Sequence, residues 1–247
     1  MGRKTYLKKI IFFIFINNFI LSTENESFKY IISFLGIPSV ELSISNEIRD
    51  NNTSTTIFSA KSVSILDNFF KIDNYYSTIY NINTFKMLEY TSNINQPNAK
   101  YDFNIKWNDK YKKYDCLDIS YERPKETNNI FSLLQRVRFE PKDKVDAIWI
   151  PIEHEGTLFN ARFLWVDSVK IEIDSINIKT NHFKLDLEKE ENSQKKLKEI
   201  SDVFNWGITL DNNIRQIWIE KEEPYRIIKA EVDVKGLKFK ASLKNSN

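Results

Sequence analysis

The sequence predicts an all-β protein with few short helices, and three observations predict it. Period-2 alternation of apolar and polar residues runs through both halves of the chain, Asn- and Asp-rich turns punctuate it, and helical periodicity is confined to three short stretches. Alternation gives each strand one dry face and one wet face, which suits antiparallel sheets enclosing a single core.

The strands follow in order. Val40, Leu42 and Ile44 alternate with Glu41, Ser43 and Ser45. Tyr101, Phe103, Ile105 and Trp107 alternate with Asp102, Asn104 and Lys106, and Leu117, Ile119 and Tyr121 with Asp118, Ser120 and Glu122. In the second half Val169, Ile171 and Ile173 oppose Lys170, Glu172 and Asp174, and Phe183, Leu185 and Leu187 oppose Lys184, Asp186 and Glu188. Ala230, Val232 and Val234 read the same way, as do Leu237, Phe239, Ala241 and Leu243. Turn signals lie at Asn51-Asn52, residues 81–83, 95–98 and 211–213, and Lys235-Gly236. Asn and Asp tolerate the left-handed conformation of a tight hairpin, so Trp107-Asn108-Asp109-Lys110 is read as a turn.

Three helices are expected. Ile130, Leu133, Leu134 and Val137 fall at i, i+3, i+4 and i+7, with Pro141 as a stop, although Val137 and Phe139 equally suit a continuing strand. A second short helix is expected over residues 144–150, ended by Pro151. A third starts from Ser193 as N-cap, buries Leu197, Ile200 and Phe204, and stops at Gly207.

Residues 1–22 have the layout of a secretory signal peptide. Arg3, Lys4, Lys8 and Lys9 precede an apolar run of 12 residues, 10–21, interrupted by Asn17 and Asn18. A membrane span needs roughly 20 apolar residues, so a cleaved signal is expected rather than an anchor. Residues 23–247 are read as a single β-rich domain with a weak seam near 124–144, where alternation lapses. The protein is expected to be periplasmic or secreted. The chain carries 36 basic and 34 acidic residues; losing the four leader cations leaves 32 against 34, a net −2. That balance gives no electrostatic footprint for nucleic acid or for anionic lipid, and membrane contact is expected only through the signal segment before cleavage.

No motif names a chemistry. Cys116 is alone, so no intrachain disulfide is possible, and a lone cysteine of this kind is expected to be buried. His154 and His182 are read as surface residues: in Glu153-His154-Glu155 adjacent side chains point apart, and His182 follows Asn181 in an expected turn. There is no G-x-S-x-G elbow and no glycine-rich phosphate loop. The chain is therefore read as non-enzymatic, with no cofactor, metal or catalytic residue assigned. A hydrolase would need a Ser or Asp beside His154 or His182 in a cleft.

Aromatic residues are abundant, with 18 Phe, 11 Tyr and 5 Trp. They suit ordinary β packing, or an apolar cleft where a curved sheet leaves room beyond its own side chains. Phe70, Tyr76, Trp107, Trp149, Trp165 and Trp218 are the candidate lining of such a cleft.

The order of segments resembles the bacterial family catalogued as domain of unknown function 3108. Phe28-Lys29-Tyr30 with Gly36-Ile37-Pro38-Ser39-Val40-Glu41-Leu42 resembles its opening strand pair. Phe70-Lys71-Ile72-Asp73, Ile79-Tyr80 and Thr84-Phe85-Lys86-Met87 resemble its next strands, and residues 143–150 its short helix. Trp218 with Pro224-Tyr225-Arg226-Ile227-Ile228-Lys229, then Leu237 and residues 241–243, resembles its closing strands. Ser39 departs from the pattern, standing where a second glycine is expected. The resemblance implies an exported protein of long antiparallel strands in a curved sheet, of β-roll or open-barrel type. It implies no established activity. The reading that follows is an exported envelope protein that binds a lipid or other hydrophobic ligand; the alternative is a structural or protein-interaction module with an envelope protein as partner.

Overall fold

A computed structural model describes residues 25–50, 52–191, 193, 197 and 201–244. The expected leader and residues 194–196 and 198–200 of the expected 193–207 helix lie outside these residues. The first half of the chain is a meander: β1 (Glu26–Phe34), β2 (Ile37–Ile48), β3 (Thr53–Ser62), helix α1 (Ser64–Phe69), β4 (Asp73–Asn81), β5 (Met87–Gln96), β6 (Ala99–Asn108), β7 (Lys113–Cys116) and β8 (Ile119–Tyr121). Helices α2 (Ile130–Phe139) and α3 (Lys142–Val145) follow. A second meander contains β9 (Ile150–His154), β10 (Thr157–Ile173), β11 (Ile176–Lys189), helix α4 (Val203–Thr209), β12 (Ile214–Glu220), β13 (Ile227–Val234) and β14 (Leu237–Lys244).

The 14 strands of the described residues form one antiparallel sheet, with β1 paired to β14 at the centre and β8 and β9 at the ends of the order. Four hairpins turn on two residues, both at positive φ: Leu35-Gly36, Glu155-Gly156, Asp174-Ser175 and Lys235-Gly236. Two positive-φ residues give a hairpin the twist that matches its strands.

The sheet curls until residues 127–129 bridge its two halves. The Met87 amide donates to the Thr127 carbonyl, while Asn128 exchanges backbone hydrogen bonds with Pro151 and Glu153 of β9. The Asn128 side chain adds a bond to the Phe85 carbonyl. The free edge of β9 is thereby occupied and β8 is only 3 residues long, so little unpaired edge is offered for strand addition.

This bridge runs directly into α2. Asn129 is its N-cap, accepting from the Ser132 amide at 2.9 Å, and the Ser132 hydroxyl receives the Asn129 amide in a reciprocal box. The helix enters the barrel as a plug: Ile130, Phe131, Leu133, Gln135, Val137 and Arg138 are all buried. Arg138 closes the end where α2 finishes. It bonds Gln135 Oε1, the Pro224 and Tyr225 carbonyls and Glu26 Oε2, so its buried charge is fully paired.

Several expectations are corrected. Residues 117–122 are not one strand: Leu117 takes φ 52° and forms a hairpin between β7 and β8, leaving its side chain exposed. The Trp107 turn is longer than expected, because β6 runs to Asn108 and β7 begins at Lys113. The helix expected over 144–150 is a single turn that ends at Val145. Ala147 then takes φ 58° and donates to the Phe163 carbonyl, which ties the chain to β10. The described part of the third helix starts at Asp202 rather than Ser193 and passes through Gly207 to Thr209. The buried guanidinium of Arg215 donates to its closing carbonyls, those of Ile208 and Leu210. Cys116 is buried, and burial pushes its thiol up to about 11. Among the described residues no helix is long and apolar enough to cross a membrane.

Candidate functional site

The inner faces of β1–β3 and β12–β14 do not meet across the barrel. Small side chains sit where a filled core would hold large ones: Ala60 on β3, Ala230 on β13 and Ala241 on β14. The result is an apolar cavity of about 350 Å³. Phe131 of α2 forms its floor, with ring centroids 4.7 Å from Phe58 and 5.3 Å from Tyr76. Phe204, Trp206 and Ile208 of α4 form its roof.

Among the described residues, no lysine, arginine, aspartate or glutamate lines it. Two of its polar groups are turned onto protein partners. Ser39 donates to the Ile37 carbonyl at 2.8 Å, and the Tyr76 hydroxyl donates to Asp202 at 2.9 Å. The cavity opens at the end that carries the β1–β2 and β13–β14 turns. There Trp206 is 46% exposed, and Phe34 and Phe70 are half-buried, whereas Phe58, Tyr76 and Phe131 at the floor are buried.

A buried polar network holds α4 over the cavity. Asp202 caps the helix, accepting from the Phe204 and Asn205 amides. Its other contacts are the Tyr76 hydroxyl and the Asn205 amide group. Asn205 reaches on to Glu155 at 2.6 Å, and Glu155 also accepts from Tyr90 at 3.1 Å. Burial first, and the Asp202 carboxylate second, push the Tyr76 and Tyr101 phenols above their ordinary value, so both stay neutral donors.

Two of the six candidate lining residues, Phe70 and Tyr76, are on the cavity wall. The four tryptophans are elsewhere. Trp107 packs on Tyr114 in the lower core, with the Lys86 ammonium 3.1 Å from its ring centroid. Trp149 and Trp165 are exposed, lying under Arg162 and Lys142. Trp218 is on the opposite face of β12 from the cavity-lining Ile217, stacked on His182 at 4.2 Å. The tryptophan that does line the cavity is Trp206, together with Phe34, Phe204 and Phe239.

Both histidines are buried, contrary to the surface reading. His182 is within β11, not in a turn, and is covered by the Trp218 ring. Its ring nitrogens meet Asp167 Oδ1 at 3.2 Å and Gln216 Oε1 at 2.9 Å, so no serine hydroxyl takes the position that a triad requires. His154 ends β9, and all of Glu153-His154-Glu155 is buried. Glu153 pairs with buried Arg123, while burial pushes its carboxyl upward against that pull.

Fold and site together define a β-barrel-like protein with an internal helix and an apolar interior. The fold is similar to that in the crystal structure of a beta-barrel-like protein of domain of unknown function DUF1849 from Brucella abortus. That structure matches 90% of the chain and 96% of its own length with a TM-score of 0.57, at 8% sequence identity. At that identity the likeness is one of fold alone. No family model matches the chain, and no curated protein does. The resemblance to the domain of unknown function 3108 family therefore rests on the order of segments only.

Proposed function

We propose that this protein binds a hydrophobic ligand, lipid-like in character, inside its barrel and acts as an exported envelope carrier without enzymatic activity. The observation that carries this reading is the uncharged cavity of about 350 Å³, open at one end. Ligand pockets begin at roughly 300 Å³. Leaving this volume of apolar space empty would cost about 8 kcal/mol at ~24 cal/mol per Å³, comparable with the whole stability of a typical domain. Water entering at the mouth lowers that figure, but an apolar occupant removes it.

The lining also limits the ligand. A carboxylate or phosphate inside would meet no cation, and an unpaired buried charge costs several kcal/mol. The part held in the cavity is thus an uncharged chain, with any charged head group at the mouth. Export is supported by the layout of residues 1–22.

The test is titration of delipidated protein with a fluorescent fatty acyl probe, alongside extraction of the protein as purified. Micromolar binding and a co-purifying lipid are expected. Absence of both would contradict the reading.

A further inference from the structure

We infer that the cavity end of the barrel docks on a lipid bilayer whose surface carries anionic head groups. The inference goes beyond ligand binding, since it concerns the outside of the rim and holds whether or not the cavity is filled.

The β1–β2 and β13–β14 hairpins reach the same end side by side, because β1 pairs with β14 and the Phe34 and Phe239 rings stack at 4.9 Å. Each tip projects large apolar side chains into water. Leu35 is 63% exposed, Ile37 57% and Leu237 47%. Phe69 at the end of α1, next in sequence to the cavity-lining Phe70, is 81% exposed, and the cavity-lining Trp206 is 46% exposed. Exposed apolar groups gathered at one place mark an interaction site. Separate protruding tips make a poor flat interface for a folded partner but suit insertion between head groups.

Charge on the two tips supports the same partner. Residues 33–40 carry no charge, and residues 234–240 carry Lys235, Lys238 and Lys240, all exposed, with no acid among them. Of the neighbouring acids, Glu231 pairs with Lys229 at 2.6 Å and Glu41 with Lys244 at 2.8 Å, while Asp233 accepts from the Gly236 amide at 2.7 Å and keeps its charge, so three lysines against one aspartate leave the tip basic. Lysines beside leucine place ammonium groups at phosphate level while the apolar tip enters the acyl boundary.

The test places a reporter at the tip. Cys116 is buried, so a cysteine introduced on the surface is labelled selectively. The full-length chain carrying Ile37→Cys, or Tyr111→Cys at the opposite β6–β7 end, is labelled with a fluorophore. It is then mixed with phosphatidylglycerol–phosphatidylethanolamine vesicles containing brominated acyl chains. Quenching at position 37 and none at 111 is expected. Adding Lys235→Gln and Lys238→Gln should weaken vesicle binding by more than about tenfold, at roughly 1 kcal/mol per lysine. Quenching at 111 alone, at both positions alike or at neither would overturn the inference, as would binding unchanged by the lysine substitutions. Binding of the acyl probe is read separately, so failure to dock leaves the carrier reading standing.

Discussion

Replacing Ala241 by leucine separates an open cavity from a filled core by the sign of the effect. Ala241 faces the cavity beside Ala230, its cross-strand partner. The substitution adds three carbons, and at ~0.8 kcal/mol per buried CH₂ it stabilises the unliganded barrel by about 2.4 kcal/mol if the space is there. In a filled core the same carbons would force strain of roughly 1–3 kcal/mol in the other direction. For a chain of this size each kcal/mol moves the melting temperature by about 2–4 °C, so Ala241→Leu should raise Tm by roughly 5–10 °C. The assay is thermal and urea unfolding of delipidated protein, with acyl-probe affinity measured in parallel. Higher stability with weaker binding is the expected pair of results. A lower Tm with unchanged affinity would refute the reasoning, because it would mean that the ligand, if any, sits elsewhere.

Three further outcomes follow from the same geometry. Tyr76→Phe removes a buried donor to Asp202 and should cost about 1.5–3 kcal/mol in urea unfolding; no loss would show that the network does not hold α4 in place. Trp206→Ala should weaken acyl-probe binding by roughly tenfold through lost apolar burial, while Trp149→Ala and Trp165→Ala leave it unchanged; equal effects would contradict the lining assigned from the structure. The Cys116 thiol, pushed up to about 11 by burial, should resist alkylation at pH 8 in the native state and react quickly in urea. Because its folded value is raised above 9.0, its contribution to stability is complete below pH 9 and is lost as pH rises through 11; stability that climbs over this interval would have the wrong sign.

The strands were legible because alternation is a local property: Phe103 and Ile105, or Phe183 and Leu185, declare a buried face within a few residues. α2 was legible for the same reason. Alternation does not say what closes a sheet, and the bridge through residues 127–129 depends on contacts with Met87 and Pro151 that are distant in sequence. Nor does it say how far along the barrel a residue sits. Trp107 follows Phe103 and Ile105 on one face yet lies below the cavity, against Tyr114. Trp218 was placed on the wrong face because its burial comes from His182 stacking outside the barrel. The histidines themselves were misplaced because polar side chains default to the surface, while Asp167, Gln216 and Trp218 compensate the burial of His182. Small residues carry the signal for the cavity: Ala60, Ala230 and Ala241 on inward positions leave the space.

A crystal structure of the protein grown with a brominated long-chain alcohol tests most directly whether the barrel holds an apolar ligand. Anomalous bromine density between Phe131, Phe204 and Ala241, with the hydroxyl toward Trp206 and the hairpin tips, is the predicted result. Bromine found only on the outer surface, with the cavity filled by protein side chains, would contradict the assignment of this barrel as a container for an apolar ligand.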